Sequence, residues 1–273
     1  MAQTILVRRT GAMGDVLETT AIVRRLREEN PIAFITVETQ HTNVYVANDD
    51  VSGVIPLLEV RYERTIDLNG AFESRLRKLH PIDTYSEVAF GDRATPRRLY
   101  FNFHHYTPVN SDRPLAVLHA ARSWPIRTLP HEFWQDLIVK LGERGFNVVL
   151  TGTAQDHDGL VHCMDMRGKL NLAQQAALID SAAIFVCSES GPMILAQVTS
   201  TPIIALLTMI DPAHILHDGA DVTCIRANVP CVGCALEQPA ETTYFDCKFG
   251  HRNCVTSFDP NFVAELAFAR SRR

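Results

Sequence analysis

The stretch "TILVRRTGAMGDVLETTAIVRRLREEN", Thr4 to Asn30, contains a strand, a turn and a helix in succession. "TILVRR", Thr4 to Arg9, is a short apolar run rich in β-branched residues and predicts a strand. From Asp15 the apolar residues recur at helical spacing, with Val16, Thr19, Ile22, Val23 and Leu26 on one face, which predicts a helix reaching Asn30. Between the two, Gly11 and Gly14 let the backbone turn tightly. A strand passing through a glycine turn into an amphipathic helix is the opening half of a βαβ unit, and so points to a parallel sheet.

The same alternation continues along the chain. "AFITVET" and "VSGVIPL" predict strands joined by a short helical piece around Asn43 to Ala47. "RTIDL" is a weaker strand, and Ile82 to Phe90 predicts a short helix. At "YTPVNSDRP", Tyr106 to Pro114, the periodicity breaks into turn-forming residues, which reads as a linker. A second series follows: strand "PLAVLHA", helix His131 to Glu143, strand "FNVVLTG", helix Leu172 to Asp180, strand "AIFVCS", helix Gly191 to Val198 and strand "PIIALL". The expected architecture is α/β, two Rossmann-like doubly wound domains over residues 1–112 and 113–273 that face each other across a cleft.

Composition narrows the function. The chain has 273 residues, 46% of them hydrophobic, and a formal net charge of -5. That charge supplies no global field to hold nucleic acid, and the basic clusters Arg24-Arg25-Arg27, Arg75-Arg77-Lys78 and Arg97-Arg98 read first as solvated faces. No apolar run approaches a membrane span, and "MAQTILVRR" lacks a signal peptide's apolar core, so a cytoplasmic protein is expected.

Four motifs could carry chemistry. In "TGAMGDV", Gly11 and Gly14 leave amides and a helix start open to an anion or polar substrate, but neither the P-loop nor the G-x-G-x-x-G spacing is present. Asp15 suits capping of the helix start, and equally suits a carboxylate that accepts a proton at a strand's C-terminal edge. In "CSESGPMILA", Cys187 to Ala196, Ser190 is placed as a helix N-cap with Gly191 and Pro192 opening the helix; the same turn could hold a diphosphate, and Glu189 could accept from sugar hydroxyls. "HAARSWPIRTLPHEFW" places Arg122, Ser123 and Arg127 in a loop after a strand, where cations neutralise phosphate.

The fourth motif, "CVGCALEQPAETTYFDCKFGHRNC", spaces Cys231, Cys234, Cys247 and Cys254 as C-x2-C-x12-C-x6-C. Four thiolates with a C-x2-C hook suit tetrahedral Zn or Fe, and reduced thiols or disulfides are the alternatives. Cys163, Cys187 and Cys224 lie in or near apolar runs and read as packing residues.

Taken together, these residues resemble glycosyltransferase family 9, the ADP-heptose-dependent heptosyltransferases with the two-domain GT-B fold. The resemblance runs from "ILVRRTGAMGDVLETTAIVRRLRE" through "LPHEFWQDLIVKLGERGFNVVLTG" and "LAQQAALIDSAAIFVCSESGPMILA" to "STPIIALLTMIDP". It implies an inverting transferase with Asp15 as catalytic base and no metal at the reacting centre. The nucleotide-sugar site would comprise Gly11, Gly14, Ser123, Arg127, Glu189, Ser190, Gly191 and Pro192. The terminal cysteines resemble the iron-binding finger of autotransporter heptosyltransferases, which implies a structural Fe or Zn. The implied partners are an ADP-sugar donor and a saccharide acceptor of lipopolysaccharide type at the inner membrane surface. Gly191-Pro192-Met193-Ile194 stands where the family has Gly-Pro-Met-His. That departure motivates one alternative, a non-catalytic nucleotide-sugar-binding or interaction protein of the same fold; a transferase with a protein or other acceptor is the second.

Overall fold

A computed structural model describes residues 2–55, 62–74, 79–104, 106, 109–122, 124–234 and 247–271. The chain divides into two compact units, residues 1–102 with 213–219 and residues 103–212 with 220–273.

The first unit contains β1 (Thr4–Arg8), α1 (Met13–Glu29), β2 (Phe34–Glu38), β3 (Gly53–Ile55), β4 (Arg64–Asp67) and α2 (Pro81–Phe90). Its sheet is parallel in the order β3-β2-β1-β4, with Ile5 level with Ile35 on one side and Arg64 on the other. Ile5, Leu6 and Val7 are all buried, as expected of a central parallel strand covered on both faces. The α1 helix begins two residues before Asp15 and buries Val16, Thr19, Ile22, Val23 and Leu26, the face predicted from spacing. In place of the helical piece at 43–47 there is a single 3-10 turn, Thr42–Tyr45. The start of α2 is marked by Pro81 and by His80, whose Nδ1 accepts from the Ile82 N–H at 3.2 Å; its end is marked by left-handed Gly91 (φ 79°). The segment 213–219 belongs to this unit although it is far away in the chain. His217 Nε2 lies 2.8 Å from Glu18 Oε2, and the Arg97 N–H donates to Asp218 at 3.0 Å.

The second unit contains β5 (Leu115–His119), α3 (His131–Glu143), β6 (Asn147–Leu150), β7 (Met164–Asp165), α4 (Leu172–Asp180), β8 (Ile184–Ser188), α5 (Gly191–Ala196), β9 (Ile203–Leu207), β10 (Val222–Arg226) and α6 (Pro260–Arg270). The parallel sheet runs β10-β9-β8-β5-β6-β7. Strands β7 and β10 are not predicted from the sequence, being short or only half-buried edge strands without an alternating pattern. The α3 residues Trp134, Leu137, Ile138 and Leu141 share a core with Val263, Ala264 and Ala267 of α6. Among the described residues, no helix is long and apolar enough to cross a membrane.

Both sheets are doubly wound. In each, the strand order reverses beside the first strand of the unit, between β1 and β4 and between β5 and β8. Ligands of open parallel sheets bind beyond the carboxyl ends of the strands at such reversals.

Candidate functional site

At the β1/β4 reversal the chain leaves β1 through Arg9, Thr10 and Gly11. Arg9 is buried and engaged through both terminal nitrogens: Nη1 donates to the Leu68 carbonyl at 3.2 Å, and Nη2 lies 2.5 Å from Glu73 Oε1 and 3.0 Å from Asp15 Oδ2. Burial works against the guanidinium charge, but Glu73, Tyr85 and Asp15 outweigh it and hold the arginine firmly protonated. Thr10 ties the two loops together, its N–H donating to Asn69 Oδ1 at 2.8 Å. Gly11 is required for space: a Cβ there would sit 2.8 Å from both Arg9 Nη2 and Asp15 Oδ2.

Asp15 occupies the third position of α1 and accepts from the Ala12 N–H at 3.1 Å, so it caps the helix start. It also faces Arg9, and 35% of its side-chain surface stays exposed. Enclosure pushes its carboxyl above the usual range; Glu73 and Glu18 add to that and Arg9 opposes it. Gly14 lies within the first turn of the same helix.

A second polar cluster joins α1, the start of α2 and the 213–219 segment. Glu18, His80 and His217 are buried and bring one ligand-type atom each to within 4.8 Å of one another. The spacing would suit a cation, but His80 Nδ1 already accepts the Ile82 N–H, which leaves the hydrogen of the neutral ring on Nε2. The group therefore reads as a tie holding 213–219 onto α1.

At the β5/β8 reversal, His119 ends β5 level with Cys187 of β8, and Ser190 follows β8. Ser190 occupies the N-cap position of α5 in extended conformation, but its side chain makes no capping bond. Its hydroxyl instead lies 2.9 Å from His119 Nδ1 and 3.1 Å from the Ser188 carbonyl. The other ring nitrogen, His119 Nε2, lies 3.3 Å from Asp156 Oδ2. Asp156 accepts in addition from the Thr153 N–H at 2.7 Å and the Arg122 N–H at 3.0 Å. Burial acts to raise the Asp156 carboxyl, but the His119 ring and these amides overcome it and hold it down at about 2. This serine–histidine–aspartate relay is absent from the sequence reading, because its members lie 71 and 37 residues apart.

The remaining expected residues fall in several places. Glu189 is 1% exposed, and its carboxylate accepts from the N–H groups of Thr208 at 3.1 Å, Met209 at 3.0 Å and Ile210 at 3.2 Å, with the Thr208 hydroxyl as a further donor. In this arrangement it holds the 208–210 turn. Burial pushes its carboxyl up, against Thr208 and the Arg127 charge. Arg127 stacks on Trp124, its Cζ 3.7 Å from the ring centre. Gly191 and Pro192 open α5. Ser123 lies outside the described residues, as do Arg75, Arg77 and Lys78. Of the other basic clusters, Arg24 pairs with Asp50 at 2.8 Å, Arg25 with Asp92 at 2.6 Å and Arg97 with Asp83 at 2.6 Å, so these charges are matched within the unit.

The four late cysteines carry no disulfide. Cys234 and Cys247 pack toward Ile126 and Met209, Cys254 is buried beside Ala227 and Val255, and Cys231 Sγ lies 4.0 Å from His251 Nε2. Among the described residues, no three of these sulfurs lie within 4.8 Å of one another, so the expected finger is not closed to ligand spacing; residues 235–246 between them lie outside the described set. The donor chemistry still suits a soft cation. Although burial raises the Cys247 thiol, the N–H groups of residues 249–252 turn toward it and bring it below its ordinary value, the direction a thiolate ligand needs. Burial and the other three sulfurs push Cys254 up to about 11.

Comparison with known proteins adds the family. The sequence pattern of glycosyltransferase family 9 (heptosyltransferase) matches residues 92–244, more than half of the chain. Lipopolysaccharide heptosyltransferase 2 of Salmonella typhimurium is 29% identical over 111 residues, 36% of this chain and 32% of its own length. The chain thus spans about a third of that curated relative in the match. Among solved structures, the iron-containing dodecameric glycosyltransferase TibC of enterotoxigenic Escherichia coli superposes with a TM-score of 0.80 at 14% identity, covering 98% of this chain and 76% of that one. The Escherichia coli ADP-heptose lipopolysaccharide heptosyltransferase II superposes with a TM-score of 0.72 at 19% identity, covering 97% and 98%. These likenesses carry the α/β fold with its parallel sheets over nearly the whole chain, and with the family pattern spread across more than half of it the chain belongs to glycosyltransferase family 9.

Proposed function

We propose that this chain is an inverting glycosyltransferase that moves a heptose or a related sugar from an ADP-linked donor to an acceptor hydroxyl on a lipopolysaccharide-type saccharide. One observation carries the reading: each doubly wound sheet has a built polar cluster at its strand-order reversal, Arg9-Gly11-Asp15 in one and His119-Ser190 in the other. In open parallel sheets the crevice at such a reversal, outside the strands' carboxyl ends, is where ligands bind.

In the proposed reaction the acceptor oxygen attacks the anomeric carbon, its proton passes to Asp15, and the bond to the diphosphate breaks with its electron pair on the departing oxygen. A carboxyl raised above its usual range is a stronger base than an exposed aspartate. Arg9 orients it, and Gly11 keeps the pair in place. The diphosphate is received by the Ser190-Gly191-Pro192 turn with Ser123 and Arg127, and Glu189 contributes by holding the adjoining 208–210 turn; preorganised donors there stabilise the developing charge. The TibC likeness and the amide-ringed Cys247 support Fe or Zn held by Cys231, Cys234, Cys247 and Cys254. Such a metal is structural, because four protein ligands leave no open position. The acceptor proposed here is met at the inner membrane surface, a reading that rests on the lipopolysaccharide-type substrate and not on a membrane-spanning helix.

The test is Asp15→Asn, assayed for donor-dependent glycosylation of a lipopolysaccharide core acceptor. Transfer is expected to fall about 10²- to 10⁴-fold with ADP affinity retained. Undiminished transfer would remove Asp15 as base, and turnover on no acceptor with intact ADP binding would favour the non-catalytic binder.

A further inference from the structure

Asp15 is held by one oxygen. Oδ2 accepts the Ala12 N–H at 3.1 Å and lies 3.0 Å from Arg9 Nη2, whereas among the described residues nothing bonds to Oδ1. A guanidinium beside a carboxylate frequently takes both of its oxygens with a pair of parallel N–H groups. Here the fork points elsewhere. Arg9 Nη2 donates to Glu73 Oε1 at 2.5 Å and Nη1 to Glu73 Oε2 at 3.3 Å, so Glu73 holds both ends and Asp15 keeps a lateral contact with one.

The loop after β4 delivers Glu73 to this place. Its chain turns through Gly70 in the left-handed region (φ 69°), and the Ser74 N–H donates to the Gly70 carbonyl at 2.9 Å, while Asn69 is tied to Thr10. Glu73 reaches Arg9 from the solvent side, with 41% of its side-chain surface exposed against 2% for the arginine.

Two carboxylates thus share one cation. With Glu73 gone, Asp15 would be the one carboxylate left to Arg9 among the described residues, and the fork would be free to close on Oδ1 and Oδ2 together. A carboxylate paired in that way binds a proton weakly, because an opposite charge in contact favours the ionised form.

Resting on the reading of Asp15 as base, we propose that Glu73 is a positioning residue for the transfer: by occupying the Arg9 fork it confines that cation to Oδ2 and leaves Oδ1 open to take the acceptor's proton. The acceptor O–H bond breaks as the Oδ1–H bond forms, and Glu73 itself exchanges no proton. In keeping with this, the Asp15 carboxyl stays above its usual range beside a cation, through burial first and, against Arg9, through the nearby Glu73 charge.

Few other groups act on Asp15. Arg9 faces it from the end of β1, Glu73 from the loop after β4, and Tyr85 from α2, its buried hydroxyl pushed well above its ordinary range and therefore neutral. Glu18, one turn further along α1, adds a weaker push in the same direction as Glu73, and its carboxylate lies 2.8 Å from His217 Nε2.

The test is an isotope-edited NMR titration of the full chain labelled at the aspartate carboxyls, the Asp15 signal being the one that Asp15→Asn removes. Glu73→Gln keeps the size of the side chain, removes its charge and sets an amide NH2 against the fork; Glu73→Ala removes it altogether. In both, the Asp15 midpoint should move to lower pH, and Glu73→Asp, which keeps the charge, should lie nearer the wild type. The acid limb of kcat/KM for donor-dependent transfer should follow, with kcat falling by less than the about 10²- to 10⁴-fold loss expected of Asp15→Asn. A purely structural Glu73 would change stability and leave midpoint and limb in place. An Asp15 midpoint unmoved or raised in folded Glu73→Gln or Glu73→Ala overturns the proposal and leaves Asp15 standing as base. Undiminished transfer by Asp15→Asn overturns the base reading, and the part of Glu73 in transfer with it, even where the midpoint moves.

Discussion

His80 makes the fold of the first unit sensitive to acid. Burial pushes its ring down to about 4 from an ordinary value of 6.5, with His217 and Arg97 acting in the same direction and Glu18 and Asp83 against it. The folded chain therefore prefers the neutral ring, whereas the unfolded chain protonates it near 6.5. Above that value the two states bind the same number of protons and nothing is lost. As pH falls from 6.5 toward 4, the unfolded state gains a proton the folded state refuses, and stability drops by about 1.4 kcal/mol per pH unit from this group. Between pH 6.5 and 5 that amounts to about 2 kcal/mol. His80→Asn is the informative perturbation, because asparagine keeps a side-chain acceptor for the Ile82 N–H and removes the titration. Urea unfolding followed by circular dichroism at pH 7, 6.5, 5.5 and 5 should show the wild type losing about 2 kcal/mol more than the variant. Equal acid sensitivity in both proteins would refute the argument that the buried neutral ring is responsible.

Three further outcomes are expected. Gly11→Ala places a methyl 2.8 Å from Arg9 Nη2 and Asp15 Oδ2, and should cost about 1–3 kcal/mol by urea unfolding while lowering transfer activity in parallel. Glu189→Gln can keep an oxygen toward Thr208 and Met209 but sets its amide NH2 against the Ile210 N–H, so a loss of about 1–3 kcal/mol is expected in the same assay; an unchanged midpoint would show that the turn does not depend on the carboxylate. Cys247→Ser removes the amide-ringed thiol, and elemental analysis of the purified protein should show iron or zinc falling from near stoichiometric to a small fraction.

The helices were the most legible elements. His131–Glu143 and Leu172–Asp180 appear with the bounds that periodicity predicts, and the second opens on Asn171 and Gln174, a reciprocal cap contained within four consecutive residues. Buried central strands were equally clear as short apolar runs. Strand β7, only two residues long, and half-buried β10 carry no comparable signal, since edge strands owe their place to a neighbour rather than to their own pattern.

By itself the sequence determined the alternation of strand and helix, the glycine turn before Asp15 and the clustering of the late cysteines, because each rests on residues close together in the chain. Tertiary structure alone decided the order of strands in each sheet, and hence where each reversal falls. It joined Glu18 to His217 across 199 residues, assigned the Glu189 carboxylate to the 208–210 turn, and drew the Ser190 hydroxyl away from its helix to His119. Hydrogen-bond partners of buried polar groups are chosen by proximity in the folded chain, and a serine at an N-cap position has the same local sequence whether it caps or serves a histidine.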